Sequence, residues 1–382
     1  MIEKQDELRE TANLLAAKGK GLLAVDESTP TIGKRLAGIN VENTEVNRQA
    51  YRGMLFNAQG LGDYISGAIL FEETLYQDHL DGGTMIAKLE KLGIIPGIKV
   101  DKGLSPLAGA HPLETWCKGL EGLAVRAAAD YGRGARFAIW RAVLQITADG
   151  CPSDLAIKEN AWGLARYART CQNSGLVPII EPEILMDGDH SIERTAEAQE
   201  KILTEVYKAC EENGVLLEGS LLKPSMIVSG ADNASKASPE EVAKITVRTM
   251  DRCVPDAVPG IMFLSGGLTE EDASVYLNTM NRIDRKSPWS MTFSYGRALQ
   301  QSCLQAWKEG GDEAGKKALM ARAQANSEAS IGDYVAGSDR KSVVEGKSVD
   351  LGGRRIIKKK KKTIQIPSCL YKQKSQIMCR IT

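Results

Sequence analysis

The sequence has few of the residues from which metal-dependent and hydrolytic sites are commonly built. Its 382 residues include three histidines, His79, His111 and His190, and no two of them have the spacing of metal ligands. Histidine is a common zinc ligand and is the base of the Ser-His-Asp triad. We therefore exclude a histidine-ligated zinc enzyme and a hydrolase of that type, and we assign acid–base chemistry to carboxylates and lysines.

Other signals are missing as well. The eight cysteines are scattered without a C-x-x-C pair, which favours reduced thiols in a cytoplasmic protein over a disulfide framework or a zinc site. No apolar run reaches the ~18 residues of a membrane-spanning helix. The first residues, MIEKQDELRETANLLAAKGK, have the mixed charges of an amphipathic helix and lack the apolar core of a signal peptide. We expect a cytoplasmic protein without a membrane span.

The net charge of zero conceals two unlike parts. Residues 341–382 hold 12 Lys+Arg and 2 Asp+Glu, which leaves 37 basic and 47 acidic residues in 1–340. We predict a folded domain over 1–335 and a divergent, disordered basic tail over 336–382. The lysine run 358–362 has no interleaved aromatic residues, so we expect no nucleic-acid binding by the tail. The EGKS segment in the tail is not a P-loop, because lysine stands at the position of the first glycine.

Short apolar segments alternate with helical segments along the folded part. About eight such segments are present, among them GLLAV, GAILF, IIPGIKV, RFAIWRAVLQI, LVPIIEPEI, VLLEGSLL, GIMFL and WSMTFSY. Continuous apolar runs are typical of parallel strands that are buried on both faces. About eight βα units over roughly 300 residues predict a single (β/α)8 barrel of the α/β class. A doubly wound sheet is the competitor, but it would need a glycine-rich turn after the first strand, where the sequence is AVDEST.

Polar residues recur at the carboxyl ends of these strands. In a barrel these ends form the face that carries the active site. Glu181 and Glu183 also share one face of their strand, because side chains alternate along a strand. One charged residue at such a place would mean little, but seven converging on one mouth predict an active site. The seven are Asp26, Lys102, Arg141, Glu181, Lys223, Ser265 and Arg297.

Lys223 is the candidate nucleophile. It ends the apolar run VLLEGSLL and is followed by Pro224. Removing an amine from water favours its free-base form, which attacks carbonyl carbons to form a Schiff base. On this stretch alone, an ordinary lysine that reaches the surface or pairs with Glu218 is the more economical interpretation. The polar residues at the other strand ends reverse that preference.

A phosphate site is predicted near the last two strands. The segment LSGGLTEEDA is a strand, a Ser-Gly-Gly turn and the start of a helix, and exposed N–H groups at a helix start attract anions. In barrels, the loops after strands seven and eight commonly bind phosphate. Arg297, beside the eighth strand, supports this prediction because a guanidinium forms paired bonds with phosphate oxygens. An ordinary glycine turn is the alternative for the turn alone.

The chain closely resembles class I fructose-1,6-bisphosphate aldolases, the metal-independent family that forms a Schiff base. The resemblance extends from about residue 7 to residue 335. Its most specific stretches are LLAVDES, ENTEVNRQAYR, YISGAILFEETLYQ, PGIKVDKG, GLVPIIEPEIL, EGSLLKPSM, PGIMFLSGG and FSYGRALQ. The resemblance implies a homotetrameric lyase of glycolysis and gluconeogenesis without a cofactor. Such enzymes cleave fructose 1,6-bisphosphate to dihydroxyacetone phosphate and glyceraldehyde 3-phosphate.

The resemblance also implies roles for individual residues. Lys223 would form the imine, Glu181 would move protons during its formation and hydrolysis, and Asp26 would take the C4-hydroxyl proton. Lys102 and Glu183 would support the charge network as further catalytic residues. The substrate-binding set would be Ser265, Gly266 and Arg297 at the C1 phosphate, Ser28, Lys34 and Arg35 near the C6 phosphate, and Arg141 and Ser294.

One departure from the family pattern bears on activity. The family's fourth strand reads F-A-K-W-R, whereas this chain has isoleucine at the lysine position, Ile139. Losing a cation beside Asp26 and Glu181 is expected to slow cleavage, because preorganised charge stabilises the transition state. Two hypotheses follow: an active aldolase that is impaired by Ile139, and an aldolase-like protein that binds sugar phosphates or acts as a scaffold with weak catalysis.

Overall fold

The computed structural model describes residues 2–285 and 287–338, and at its centre eight parallel strands form a closed barrel. The predicted (β/α)8 barrel is therefore confirmed. Along the chain the barrel strands are β1 (Gly21–Val25), β2 (Ile65–Leu70), β3 (Ile95–Lys99), β6 (Phe137–Leu144), β7 (Val177–Ile184), β8 (Leu221–Leu222), β9 (Gly260–Phe263) and β10 (Ser290–Tyr295). Each strand pairs with the next one in this order, and β10 pairs with β1. The strands β4 (Leu104–Pro106) and β5 (Thr115–Cys117) form a separate antiparallel hairpin.

Helices accompany the barrel strands, the first before β1 in the chain and the others after it. They are α1 (Gln5–Leu15), α2 (Thr29–Ala37), α3 (Glu45–Phe56), α4 (Glu72–Tyr76), α5 (Met85–Lys91), α6 (Leu123–Arg133), α7 (Asp154–Asn173), α8 (Ile192–Glu212), α9 (Pro239–Cys253), α10 (Glu270–Asn281) and α11 (Arg297–Ser330). Several begin at a hydroxyl residue whose oxygen accepts a backbone N–H of the first turn, as Ser153 does for α7 and Thr269 for α10. The last helix is interrupted at Gly311, whose φ of 74° only glycine adopts readily. No helix among the described residues is long and apolar enough to cross a membrane.

The interior of the barrel is filled by apolar side chains, and α1 covers its amino-terminal end. Leu8 and Leu15 of α1 belong to the same buried cluster as Phe137 and Ile139 of β6. Gly97 makes room for this packing, because a Cβ there would lie 2.2 Å from the ring of Phe137. The interior below the carboxyl ends of the strands is therefore largely apolar.

Two local predictions differ from the structure. Leu217–Gly219 form a 3₁₀ turn, so β8 keeps only two of the residues predicted to be a strand. The β4–β5 hairpin lies where no strand was predicted, because β4 is largely exposed and lacks an apolar run. Neither difference alters the strand order of the barrel. The predicted disordered tail over 336–382 lies outside the described residues from position 339 onward.

Candidate active site

The carboxyl ends of the barrel strands surround a cavity of about 550 Å³. Of the residues predicted from sequence to form a site, all but Lys34 line it. They are Asp26, Ser28, Arg35, Lys102, Arg141, Glu181, Glu183, Lys223, Ser265, Gly266, Ser294 and Arg297. Lys34 instead lines a neighbouring cavity of about 580 Å³, to which Arg35 and Arg297 also contribute. The fold thus brings together side chains that are up to 271 positions apart in the sequence, from Asp26 to Arg297.

Lys223 and Glu181 form a buried pair at the base of this cavity. Lys223 Nζ lies 3.0 Å from Glu181 Oε1, and the side chains are 6% and 7% exposed. The backbone N–H of Lys223 donates to the carbonyl of Ile180 and so extends the pairing of β8 with β7 by one residue. The strand pairing therefore fixes the position from which the amine reaches the cavity.

The protonation of Glu181 is tuned by its surroundings. Burial raises the pKa of Glu181 from 4.5 to about 7, an effect that the charge of Lys223 opposes and the charges of Glu183 and Asp26 reinforce. A group with a pKa near the working pH can both give and take a proton. Glu181 is thus suited to general acid–base chemistry beside the amine.

Arg141 and Glu183 form a second ion pair above β6 and β7. Burial lowers the pKa of Arg141, but the charge and the hydrogen bond of Glu183 outweigh it, and the pKa lies above its ordinary value. The guanidinium therefore keeps its charge within the cavity. A fixed cation at this place can stabilise negative charge that develops on a bound molecule.

The third strand presents two lysines to the cavity in different ways. Lys102 pairs with Glu72 at 2.7 Å, and these side chains are 45% and 53% exposed, so it lies at the rim. Lys99 ends β3, is 20% exposed and pairs with the buried carboxylate of Asp101. Lys99 and Asp101 both line the cavity. Neither is among the site residues predicted from sequence, although the alternation of side chains from Gly97 to Lys99 points Lys99 toward the barrel axis.

One end of the cavity is suited to an anion. Gly266 and Gly267 have φ values of 48° and 102°, which lets the turn after β9 present its backbone N–H groups. A Cβ on Gly267 would lie 3.6 Å from Nη2 of Arg297, so the guanidinium lies against this turn. The hydroxyl of Ser294 is buried and has no hydrogen-bond partner within the described part of the chain. It remains available to a bound group.

The neighbouring wall, which follows β1, offers a second place for an anion. Ser28, at the start of α2, has its hydroxyl 3.1 Å from that of Thr31. Arg35, about one turn beyond Thr31 along α2, forms an ion pair with Glu27 and faces the same cavity. The cavity therefore has basic groups at two places that follow the neighbouring strands β10 and β1, and the Lys223–Glu181 pair lies on β8 and β7, beyond β9. This arrangement suits a small molecule with a carbonyl and two anionic groups.

Ile139 lies in the apolar layer beneath the site. It is 1% exposed and belongs to the cluster that contains Phe137 and Ile179. Its register partners are Lys99 on β3 and Ile179 on β7. A side chain at this position points toward the barrel axis, one layer below Arg141 and Glu181.

The fold and the site together are those of a (β/α)8 barrel with a buried lysine–carboxylate pair at the carboxyl ends of its strands. The family model "fructose-bisphosphate aldolase class-I" matches residues 7–350. The chain belongs to the class I fructose-bisphosphate aldolase family and is a carbon–carbon lyase of that type. The comparisons do not favour the alternative of a weakly catalytic binding or scaffold protein.

Relatives from plants and a solved structure support the same assignment. Chloroplastic fructose-bisphosphate aldolase 3 of Arabidopsis thaliana is 55% identical over 89% of this chain and 86% of that protein. Cytosolic aldolase 4 of the same species is 55% identical over 86% of this chain and 84% of its own length. The structure of the Plasmodium falciparum aldolase, in a complex with TRAP and a small-molecule inhibitor, matches with a TM-score of 0.86 and 51% identity. That match covers 88% of this chain and 97% of the other.

Proposed function

We propose that this aldolase cleaves fructose 1,6-bisphosphate through an imine on Lys223. The observation that carries the proposal is the buried contact of 3.0 Å between Lys223 Nζ and Glu181 Oε1 at the base of the cavity. A lysine held beside a carboxyl group of near-neutral pKa has both requirements of imine chemistry, a nucleophile and a proton donor.

The reaction follows from the positions of these groups. The Lys223 amine attacks the C2 carbonyl of the ketose, and Glu181 donates the proton with which the former carbonyl oxygen leaves as water. The protonated imine then accepts the electron pair of the C3–C4 bond, while Asp26 takes the proton of the C4 hydroxyl. Glyceraldehyde 3-phosphate leaves, the enamine is protonated at C3, and water releases dihydroxyacetone phosphate from Lys223.

The remaining residues divide between the two phosphates and the charge network. In this proposal the reacting carbons bind among Arg141, Glu183, Lys99 and Lys102, which line the cavity with Lys99 deeper and Lys102 at the rim. In this assignment the C1 phosphate lies at the glycine turn and Arg297, and the C6 phosphate lies at the wall formed by α2. The phosphate-binding residues are Ser265, Gly266, Ser294 and Arg297 for C1, and Ser28, Lys34 and Arg35 for C6.

Two coarser features complete the proposal. We infer that the chain is a homotetramer, as its family resemblance implies, and that it works in the cytoplasm. The relatives include both cytosolic and chloroplastic enzymes. Light scattering of the purified protein tests the first inference, and fractionation of cells that produce the full chain tests the second.

Trapping the imine tests the nucleophile directly. Borohydride reduction in the presence of dihydroxyacetone phosphate converts an imine into a stable secondary amine. Mass mapping should place the added group on Lys223, because that amine lies against Glu181. The variant Lys102→Met is the matched control and should retain the label, since Lys102 lies at the exposed rim. A label on another lysine, or none on Lys223, would overturn the assignment.

A further inference from the structure

A buried carboxylate that the proposed reaction does not use lies beside Asp26. Glu27 follows Asp26 at the end of β1, and its side chain is 5% exposed. It is flanked by two arginines: Arg35, on the wall of the cavity, and Arg52, which is 1% exposed. An ionised group at this depth is stable only when it is paired, so the two guanidinium groups explain how it is accommodated.

The contacts of Glu27 are divided between its two oxygens. Oε1 accepts from Nη1 of Arg35 and, at 3.3 Å, from the amide of Gln300. Oε2 lies 3.7 Å from Nη2 of Arg52 and has no hydrogen-bond partner among the residues that the structure describes. The same Nη2 of Arg52 donates a hydrogen bond to the backbone carbonyl of Glu27 at 2.7 Å, which fixes the guanidinium beside this residue.

Gln300 fixes the carboxylate from the opposite direction. Its amide nitrogen also donates to the carbonyl of Ala24 at 2.7 Å, and its oxygen accepts from the hydroxyl of Tyr51 at 3.0 Å. Glu27 is therefore anchored to β1, α3 and α11 at once. Arg35 differs from these anchors, since it is 23% exposed and lines the cavity. Glu27 is thus held in a fixed position, and the charged side chain of Arg35 extends from it into the cavity.

We propose that Glu27 is a positioning residue that orients Arg35 for the distal phosphate of the substrate. The idea rests on the proposed function, which places the C6 phosphate at Arg35. A guanidinium has five N–H groups, and the hydrogen bond that the described residues give Arg35 uses only Nη1. The other N–H groups remain for phosphate oxygens. Because the side chain of Arg35 is ordered before binding, it loses less conformational freedom when the phosphate binds.

The charges permit this role. Glu27 is shared by Arg35 and Arg52, so the three side chains together carry one positive charge toward the cavity. Arg52 also lies 3.5 Å from Glu73, which pairs in turn with Arg48. Glu73 is thus the matched comparison for Glu27. Both contact Arg52, but Glu73 does not line the cavity within the described part of the chain.

The test compares substrates that differ by one phosphate. In Glu27→Gln we expect KM for fructose 1,6-bisphosphate to rise about fivefold to tenfold, the factor associated with ordering one long side chain. KM for fructose 1-phosphate should stay within about twofold, because the proposed function places its one phosphate at the glycine turn and Arg297. Glu73→Gln should leave the ratio of the two KM values unchanged. A purely structural role for Glu27 would instead impair both substrates alike.

Binding of an unreactive analogue separates this inference from the proposed function. A hexitol 1,6-bisphosphate and a hexitol 1-phosphate are titrated calorimetrically into the parent and into Glu27→Gln. Selective weakening of the bisphosphate supports the role of Glu27 even if Lys223 traps no imine. Equal weakening of both analogues, no weakening, or tighter bisphosphate binding on loss of the negative charge would each overturn it. Unchanged binding of the hexitol monophosphate also shows that the variant is folded.

Discussion

Replacing Ile139 with lysine tests how charge at the barrel mouth supports catalysis. Ile139 is the register partner of Ile179, and Glu181 lies two residues further along that strand. Two residues of a strand advance about 6.6 Å. The four-carbon stem of an extended lysine covers about 6 Å. The new ammonium would therefore reach the level of the Glu181 carboxyl group.

The size of the effect follows from Coulomb's law. A unit charge at about 5 Å and an effective dielectric constant of about 20 contributes about 3 kcal/mol. That energy equals about two pKa units. The pKa of Glu181, raised to about 7 by burial in the parent, should therefore fall toward about 5 in Ile139→Lys. The added cation should also stabilise developing negative charge and raise kcat at least about tenfold.

A coupled assay for dihydroxyacetone phosphate, run from pH 5 to pH 9, measures both consequences. We expect a higher kcat for Ile139→Lys, and we expect the midpoint that belongs to Glu181 to move to lower pH. Ile139→Met is the control, because it fills the same apolar layer without adding charge. If Ile139→Lys unfolds cooperatively like the parent and yet neither its rate nor its pH profile differs from that of Ile139→Met, the reasoning is refuted.

Two further predictions concern Glu181 and the lysines of the third strand. Because the pKa of Glu181 is raised in the folded state, the parent should lose up to about 3 kcal/mol of unfolding free energy as the pH rises from about 4.5 to about 7. Urea titrations of Glu181→Gln should lack this loss, and parallel curves for the two proteins would contradict it. Lys99→Met should lower kcat at least about tenfold, and Lys102→Met should lower it by a smaller factor because its solvated charge is screened. Steady-state cleavage rates decide between the two lysines, and the reverse order would show that the rim lysine is the important one.

The barrel and most of its mouth could be predicted from sequence because their signals are local. Strands such as Val177–Ile184 are continuous apolar runs interrupted only by the carboxylates of Glu181 and Glu183. Parallel strands must end on the same side of a closed barrel, so each polar strand end predicts its neighbours. Asp26, Arg141 and Lys223 were found in this way, although nothing in the sequence gives the distance between them.

What could not be predicted depends on contacts between distant segments. Lys99 lies inside the strand signal, whereas Lys102 follows it, and only the orientation of β3 shows which amine is deeper. The role proposed for Glu27 depends on Arg52 and Gln300, which are 25 and 273 positions away. The 3₁₀ turn before β8 replaces a strand whose apolar composition fits either structure.

The helix that covers the amino-terminal end of the barrel has a consequence for how such an enzyme can change. The apolar side chains of Leu8 and Leu15 close the amino-terminal end of the barrel. The groups assigned to the chemistry lie at the carboxyl-terminal end. Stability and catalysis therefore depend on side chains at opposite ends of the barrel. Residue 139 lies at the boundary between the apolar interior and the site, so a single substitution there can slow the reaction without unfolding the barrel.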